Sequence, residues 1–94
     1  MREFREFLIE DTMAEQTVYM PCESEIVGVN KTDRGIFLLA IVPAPGYDKT
    51  VPEIRTFKIC LLSENFSYPI VKYIGSFNST IGNKYVIEVR KEHY

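Results

Sequence analysis

The run Ile36-Phe37-Leu38-Leu39-Ala40-Ile41-Val42 constrains this chain more than any other stretch, because it is the longest uninterrupted apolar segment in the sequence. A half-buried strand alternates apolar with polar side chains, so a run without alternation predicts a strand with protein on both faces. Glu25-Ile26-Val27-Gly28-Val29-Asn30 precedes it, across Lys31-Thr32-Asp33-Arg34-Gly35. Asp early and Gly last in Thr32-Asp33-Arg34-Gly35 suit a type I turn followed by a left-handed Gly, the three-residue hairpin that pairs the two segments antiparallel. Ile54-Arg55-Thr56-Phe57-Lys58-Ile59-Cys60-Leu61-Leu62 supplies a third strand.

The rest of the chain repeats the pattern. In residues 2–9, Phe4, Phe7 and Leu8 have helical spacing, yet Phe4/Leu8 and Phe7/Ile9 also fit two strand faces. Charge at Arg2, Glu3, Arg5 and Glu6 favours an edge strand, where it discourages edge-to-edge aggregation. Residues 10–15 form a polar connector with room for one helical turn. Gln16-Thr17-Val18-Tyr19-Met20 alternates, with Val18 and Met20 on the face opposite Tyr19, until Pro21 stops it. Arg55, Phe57, Ile59 and Leu61 share one face of their strand; Thr56, Lys58 and Cys60 share the other.

Further on, Val71, Tyr73 and Phe77 fall together, with Gly75 between them marking a bulge or a close backbone approach. Tyr85, Ile87 and Val89 are expected inward, and Val86, Glu88 and Arg90 outward. Phe66 and Tyr68 are expected to cover a barrel end or sheet edge, and residues 91–94 read as a frayed tail. Three prolines stiffen residues 43–53, whose tip offers Tyr47, Asp48 and Lys49 for binding.

Six to seven short strands joined mainly by turns predict an all-β fold, a small antiparallel sandwich or partly open barrel. At 94 residues the chain is one domain, of a size that often draws extra stability from metal, disulfide or oligomerisation. Cys22 and Cys60 make no disulfide framework, and Cys60, in an apolar run, reads as a small hydrophobe. No basic segment followed by an apolar core stands at the start, and no apolar run approaches membrane-spanning length. The expectation is a protein of the cytoplasm with reduced thiols. Asn30-Lys31-Thr32, Asn65-Phe66-Ser67 and Asn78-Ser79-Thr80 are then turn residues, not glycosylation sites.

The formal charge of −2 is too small to draw nucleic acid or a membrane by bulk attraction. It is unevenly spread. Residues 1–50 hold five Lys/Arg and nine Asp/Glu, a balance of −4; residues 51–94 hold six and four, a balance of +2. An anion site is therefore expected on the C-terminal strands.

Catalytic chemistry finds little support. Nucleophilic catalysis needs a base within reach of the nucleophile, and the one histidine, His93, is penultimate. Two cysteines and one histidine are too few and too scattered for a zinc site. Glu10-Asp11 and Glu23/Glu25 lack the glycine turn and spacing of a calcium loop, and no Gly-rich phosphate loop is present. No cofactor is expected. Tyr73, Phe77 and Tyr85 with Arg55, Lys58, Lys72 and Lys84 form an aromatic-plus-cation set able to stack a base and pair a phosphate. Inward alternation explains the same aromatics as packing.

The chain resembles a family of short phage and prophage proteins that carry a domain of unknown function. The pattern begins at Phe4 and Leu8 and continues through Gln16-Thr17-Val18, Met20-Pro21, Glu25-Ile26-Val27-Gly28-Val29 and Leu39-Ala40-Ile41-Val42. Arg55-Thr56-Phe57-Lys58-Ile59 and Tyr73-Ile74-Gly75-Ser76-Phe77 are its most specific pieces, and the strand at residues 86–89 closes it. Two departures stand out: Cys22-Glu23-Ser24 replaces a Gly-containing turn after Met-Pro, and Pro43-Ala44-Pro45 replaces an Asp-Pro.

The resemblance supplies no activity. It implies a small accessory protein made in an infected bacterium, acting in the host cytoplasm. With the lack of catalytic groups, this leads to an expectation of a non-enzymatic binder that blocks or sequesters a component of host anti-phage defence. The partner is a host protein or a small anionic, nucleotide-like signal, contacted through Arg55, Lys58, Tyr73, Lys84, Tyr47 and Lys49. The alternative is a structural or assembly component of the phage particle. A small domain with an exposed edge strand is also expected to form a homo-oligomer.

Overall fold

The computed structural model describes residues 2–43, 52–61 and 70–90. Seven strands account for most of them: β1 (Arg2–Ile9), β2 (Glu15–Met20), β3 (Glu25–Thr32), β4 (Gly35–Pro43), β5 (Glu53–Cys60), β6 (Ile70–Ser79) and β7 (Gly82–Val89). No helix occurs among the described residues. The strands form two antiparallel sheets, ordered β1-β4-β3 and β2-β5-β7-β6, so the all-β antiparallel fold expected from the strand pattern is the one observed.

The apolar run lies in β4, at the centre of the three-stranded sheet. β1 pairs along it from Arg2↔Pro43 to Ile9↔Ile36, which settles residues 2–9 as strand and not helix. β3 pairs on the other side, with a register shift between Ile26 and Gly28. Ile36, Leu38, Ala40 and Val42 face inward and are buried; Phe37, Leu39 and Ile41 face outward and are half-buried. The expectation of protein on both faces of this run is thus met on one face only. On the other face, flanking side chains give partial cover. Phe4 and Leu8 stand beside Ile41 and Phe37, and the Arg34 guanidinium lies 5.7 Å from the centre of the Phe37 ring.

The β3–β4 hairpin forms as expected but closes at Thr32↔Gly35, so its loop is the two residues Asp33 and Arg34 and not three, and Gly35, at φ +138°, is the first residue of β4. Residues 10–13 form a single turn rather than a helix, the Met13 N–H donating to the Glu10 carbonyl at 3.3 Å. The buried Gln16 holds this turn: its Oε1 accepts from the Glu10 N–H at 2.8 Å, and its Nε2 donates to the Glu10 and Met13 carbonyls.

The core between the sheets joins Ile9, Met20, Ile26 and the inward side of β4 to Phe57, Ile59, Ile74, Phe77 and Val86. Two face assignments differ from the sequence pattern. On β7, Ile59↔Val86 and Phe57↔Glu88 pair across the ladder, so Val86 and Glu88 face inward while Tyr85, Ile87 and Val89 face outward. As the third strand of four, β7 is buried on both faces, and periodicity cannot show its parity. On β6, register shifts at Val71 and Ile74 break the alternation, so Phe77 and Ile74 join the core while Tyr73 turns outward.

β3 and β6 lie side by side where the two sheets meet. The Lys72 Nζ donates to the Ile26 carbonyl at 2.6 Å, and the Lys31 Nζ donates to the Asn78 carbonyl. A Cβ on Gly75 would stand 3.4 Å from the Val29 Cγ2, so Gly75 marks both a bulge and a close approach. The expectations for Tyr47, Asp48, Lys49, Phe66, Tyr68, His93 and the tail fall outside the described residues.

Candidate functional site

Arg55 shares its strand face with Phe57 and Ile59 and so points between the sheets, at one end of the sandwich. Glu88 occupies the inward face of the neighbouring strand, beside Phe57. The two meet in a bidentate pair, Nε to Oε2 and Nη2 to Oε1, both at 2.7 Å. The remaining Nη1 donates at 2.6 Å to the carbonyl of Ser24, in the turn that links β2 to β3, and lies 3.7 Å from Glu53 Oε1. The Glu88 hydrogen bonds hold the Arg55 proton more firmly than usual; burial opposes this, and the charges of Glu88, Glu53 and Cys22 reinforce it.

Lys84 also faces inward, opposite Phe77, and reaches the β1–β2 turn. Its Nζ meets Asp11 Oδ1 at 2.7 Å and the Asp11 carbonyl at 3.2 Å. Four positions along β7 separate it from Glu88, roughly 13 Å at strand rise. Arg55 and Lys84 therefore sit at opposite ends of the core, each held by its own carboxylate.

Lys58 and Tyr73 lie on the opposite, outward face of the four-stranded sheet, in the row Glu15, Lys58, Ile87, Tyr73. Tyr73 is 55% exposed and tilts against Tyr85, ring centres 6.4 Å apart at 43°. Of the residues expected to form one anion site, the structure brings together Lys58 and Tyr73 and adds Tyr85. It separates them from Arg55 and Lys84; Tyr47 and Lys49 lie outside the described residues.

Sequence reasoning missed the apolar character of this outward face. Tyr19 and Ile54 oppose each other across β2 and β5 and are both exposed, as are Ile70 and Val71 at the start of β6. Ile54, Val71 and Val89 line an open concavity of about 640 Å³ together with Thr17, Thr56 and four charged residues, Glu53, Arg55, Glu88 and Arg90, so the Arg55–Glu88 pair itself reaches this hollow. The signal was present in the alternation of β2 and β5, which places Tyr19 and Ile54 opposite the core residues.

No group of three His, Cys, Asp or Glu side chains is placed to hold a metal ion among the described residues. Their buried side-chain nitrogens and oxygens all have hydrogen-bond partners. Compared with known proteins, the chain matches no family model, no curated protein and no solved structure.

Proposed function

We propose that this chain is a non-enzymatic, phage-type accessory protein that binds and blocks a host protein in the bacterial cytoplasm. The observation that carries the reading is the outward face of the four-stranded sheet, where Tyr19, Ile54, Ile70, Val71 and Tyr73 stand exposed and Ile54 and Val71 line the concavity. Exposed apolar and aromatic side chains around a hollow that also carries Glu53, Arg55, Glu88 and Arg90 support a protein partner whose anchor presents both apolar and charged groups. A nucleotide-type signal is the weaker reading. Arg55 and Lys84 are engaged by Glu88 and Asp11, leaving Lys58 beside the Tyr73–Tyr85 pair as the set able to take a stacked base and its phosphate.

The test is retention of a partner by wild type, by Ile54→Glu/Val71→Glu and by Lys58→Ala, followed by reconstitution with the purified partner. The expected result is one host protein bound by wild type and Lys58→Ala, lost in Ile54→Glu/Val71→Glu, together with relief of a host defence when wild type is expressed. Binding indifferent to Ile54→Glu/Val71→Glu overturns the site. A nucleotide held by wild type and lost in Lys58→Ala overturns the choice of partner. Finding the protein in purified particles, and not early in infection, replaces the reading with the structural or assembly role.

A further inference from the structure

We propose that β1 is a self-recognition edge, and that two copies of this chain pair antiparallel through it about a two-fold axis at Phe4. β1 is outermost in the order β1-β4-β3, so β4 takes one side of its backbone and the other is unpaired among the described residues. Such an edge is a template for a further strand. The question is which strand, and the charge pattern of Arg2-Glu3-Phe4-Arg5-Glu6 answers it.

A two-fold axis perpendicular to the sheet passes through one residue and pairs its neighbours symmetrically, outward side chains with outward and inward with inward. With the axis at Phe4, Arg2 faces Glu6 of the partner subunit, Glu3 faces Arg5 of the partner subunit, and the two Phe4 rings meet. Every charge of residues 2–6 then opposes its opposite. An axis at Arg2, Glu3, Arg5 or Glu6 sets that charge against its own copy. An axis at Phe7 puts Arg5 against Ile9 and Glu6 against Leu8, and one at Leu8 engages little more than residues 7–9. Cross-strand pairs of opposite charge stabilise and like pairs destabilise, so the pattern admits one register and rejects its neighbours.

The structure places Glu3, Phe4 and Arg5 accordingly, and the exposed Arg2 guanidinium, which donates to the Glu23 carbonyl at 3.5 Å, exchanges that contact for Glu6 of the partner subunit on pairing. Glu3 and Arg5 share the inward parity of Val42 and Ala40, but at the sheet margin, where they remain 44% and 40% exposed and within 3.2 Å of each other. Phe4 is 68% exposed on the outward face, beside half-buried Ile41. Pairing at Phe4 extends this into a continuous apolar row of Ile41 and Phe4 from both copies and joins the two three-stranded sheets into one.

An interface built on one short strand is small, so the dimer is expected to form on the order of micromolar to hundreds of micromolar and to weaken with salt. Sedimentation of the full chain over that range tests it. Wild type is expected to double in mass with concentration. Glu3→Arg/Glu6→Arg and Arg2→Glu/Arg5→Glu, each leaving a strand of one sign, are expected to stay monomeric alone and to form a one-to-one heterodimer when mixed. A merely structural role for these charges would not be rescued by mixing. As a second readout, F4C in a C22S background is expected to cross-link under mild oxidation at least tenfold faster than E6C in the same background. Wild type monomeric at about 1 mM, folded single-sign variants that dimerise alone or ignore each other, or equal cross-linking of F4C and E6C would each overturn the proposal.

Discussion

Arg55 and Glu88 grip each other through two parallel hydrogen bonds of 2.7 Å, while the third guanidinium nitrogen reaches the Ser24 carbonyl in the turn between β2 and β3. Their side chains are 17% and 9% exposed, so the pair works as an internal clasp that ties β5 and β7 to the β2–β3 turn. A guanidinium spent in this way recognises its own fold.

Removing one member leaves the other charge buried without compensation. Arg55→Met is expected to cost about 3 kcal/mol in urea unfolding, whereas Arg55→Met/Glu88→Leu recovers most of the loss because neither charge remains. A double variant as unstable as the single would show that the Ser24 contact, not the ion pair, dominates.

The same clasp is insensitive to alkali over the working range. Folding raises the Arg55 proton affinity, so its stabilisation is present below the unfolded value and is lost only as pH rises through the higher folded one. The stability difference between Cys22→Ser and Cys22→Ser/Arg55→Met, a background without the thiol whose charge also acts on Arg55, is expected to stay constant between about pH 8 and 10. A difference that falls across that interval would assign the effect to another group.

Glu23 sits at φ +68°, in the left-handed region, where the Ser24 N–H donates to the Pro21 carbonyl at 3.2 Å to close the turn. A side chain there is strained, and glycine relieves the strain. Glu23→Gly is expected to stabilise the protein by about 0.5–1 kcal/mol. Thermal and urea midpoints that fall instead would refute this.

Gly35 and Gly82 both have positive φ, at +138° and +123°, but differ in surroundings. A Cβ at Gly35 would lie 3.0 Å from the Leu8 Cδ1, and one at Gly82 meets nothing within 4 Å. Gly82→Ala is expected to cost about 1–2 kcal/mol from backbone strain, and Gly35→Ala roughly 1 kcal/mol more. In a Leu8→Ala background that extra cost should disappear, which a double-mutant cycle measures directly.

Lys84 and Asp11 make the weaker pair, because Asp11 is half open to solvent. Lys84→Met is expected to cost below about 1 kcal/mol, and less in high salt. A loss comparable to that of Arg55→Met would show that Lys84 anchors the β1–β2 turn more firmly than its exposure implies.

Local chemistry made much of this fold readable. The β3–β4 hairpin follows from Asp33, Arg34 and Gly35, the end of β2 from Pro21, and the close approach at Gly75 from a glycine amid apolar residues. The parity of β7 was not readable. Tyr85, Ile87 and Val89 alternate as a buried face should, yet Glu88 faces inward because it meets a guanidinium that lies thirty-three residues earlier. Extra residues at Val71 and Ile74 likewise reversed the faces expected along β6.

The candidate site divides in the same way. Arg55 and Lys84 were recognisable as cations, but Glu88 and Asp11 neutralise them from thirty-three and seventy-three positions away. Lys58 and Tyr73 remained together because their strands are neighbours of the same central strand, β7. The exposed pair Tyr19 and Ile54 was hidden by its ordinary alternation, since an apolar residue on an outward face looks like any other until its neighbours are known.

The strand order also sets a timetable for synthesis. Only β3 with β4 and β6 with β7 are consecutive partners; β1 must wait for β4, β2 for β5, and β5 for β7 as its second neighbour. Pairings between distant segments form slowly, and unpaired strands are prone to associate with other chains. The four-stranded sheet lacks β7, one of its two middle strands, until residues 82–89 have been made. Nascent copies therefore carry the bare margin of β2 until β5 is made, and that of β5 until β7 is made, and crowding on the messenger, rather than the stability of the finished molecule, is expected to limit the soluble yield.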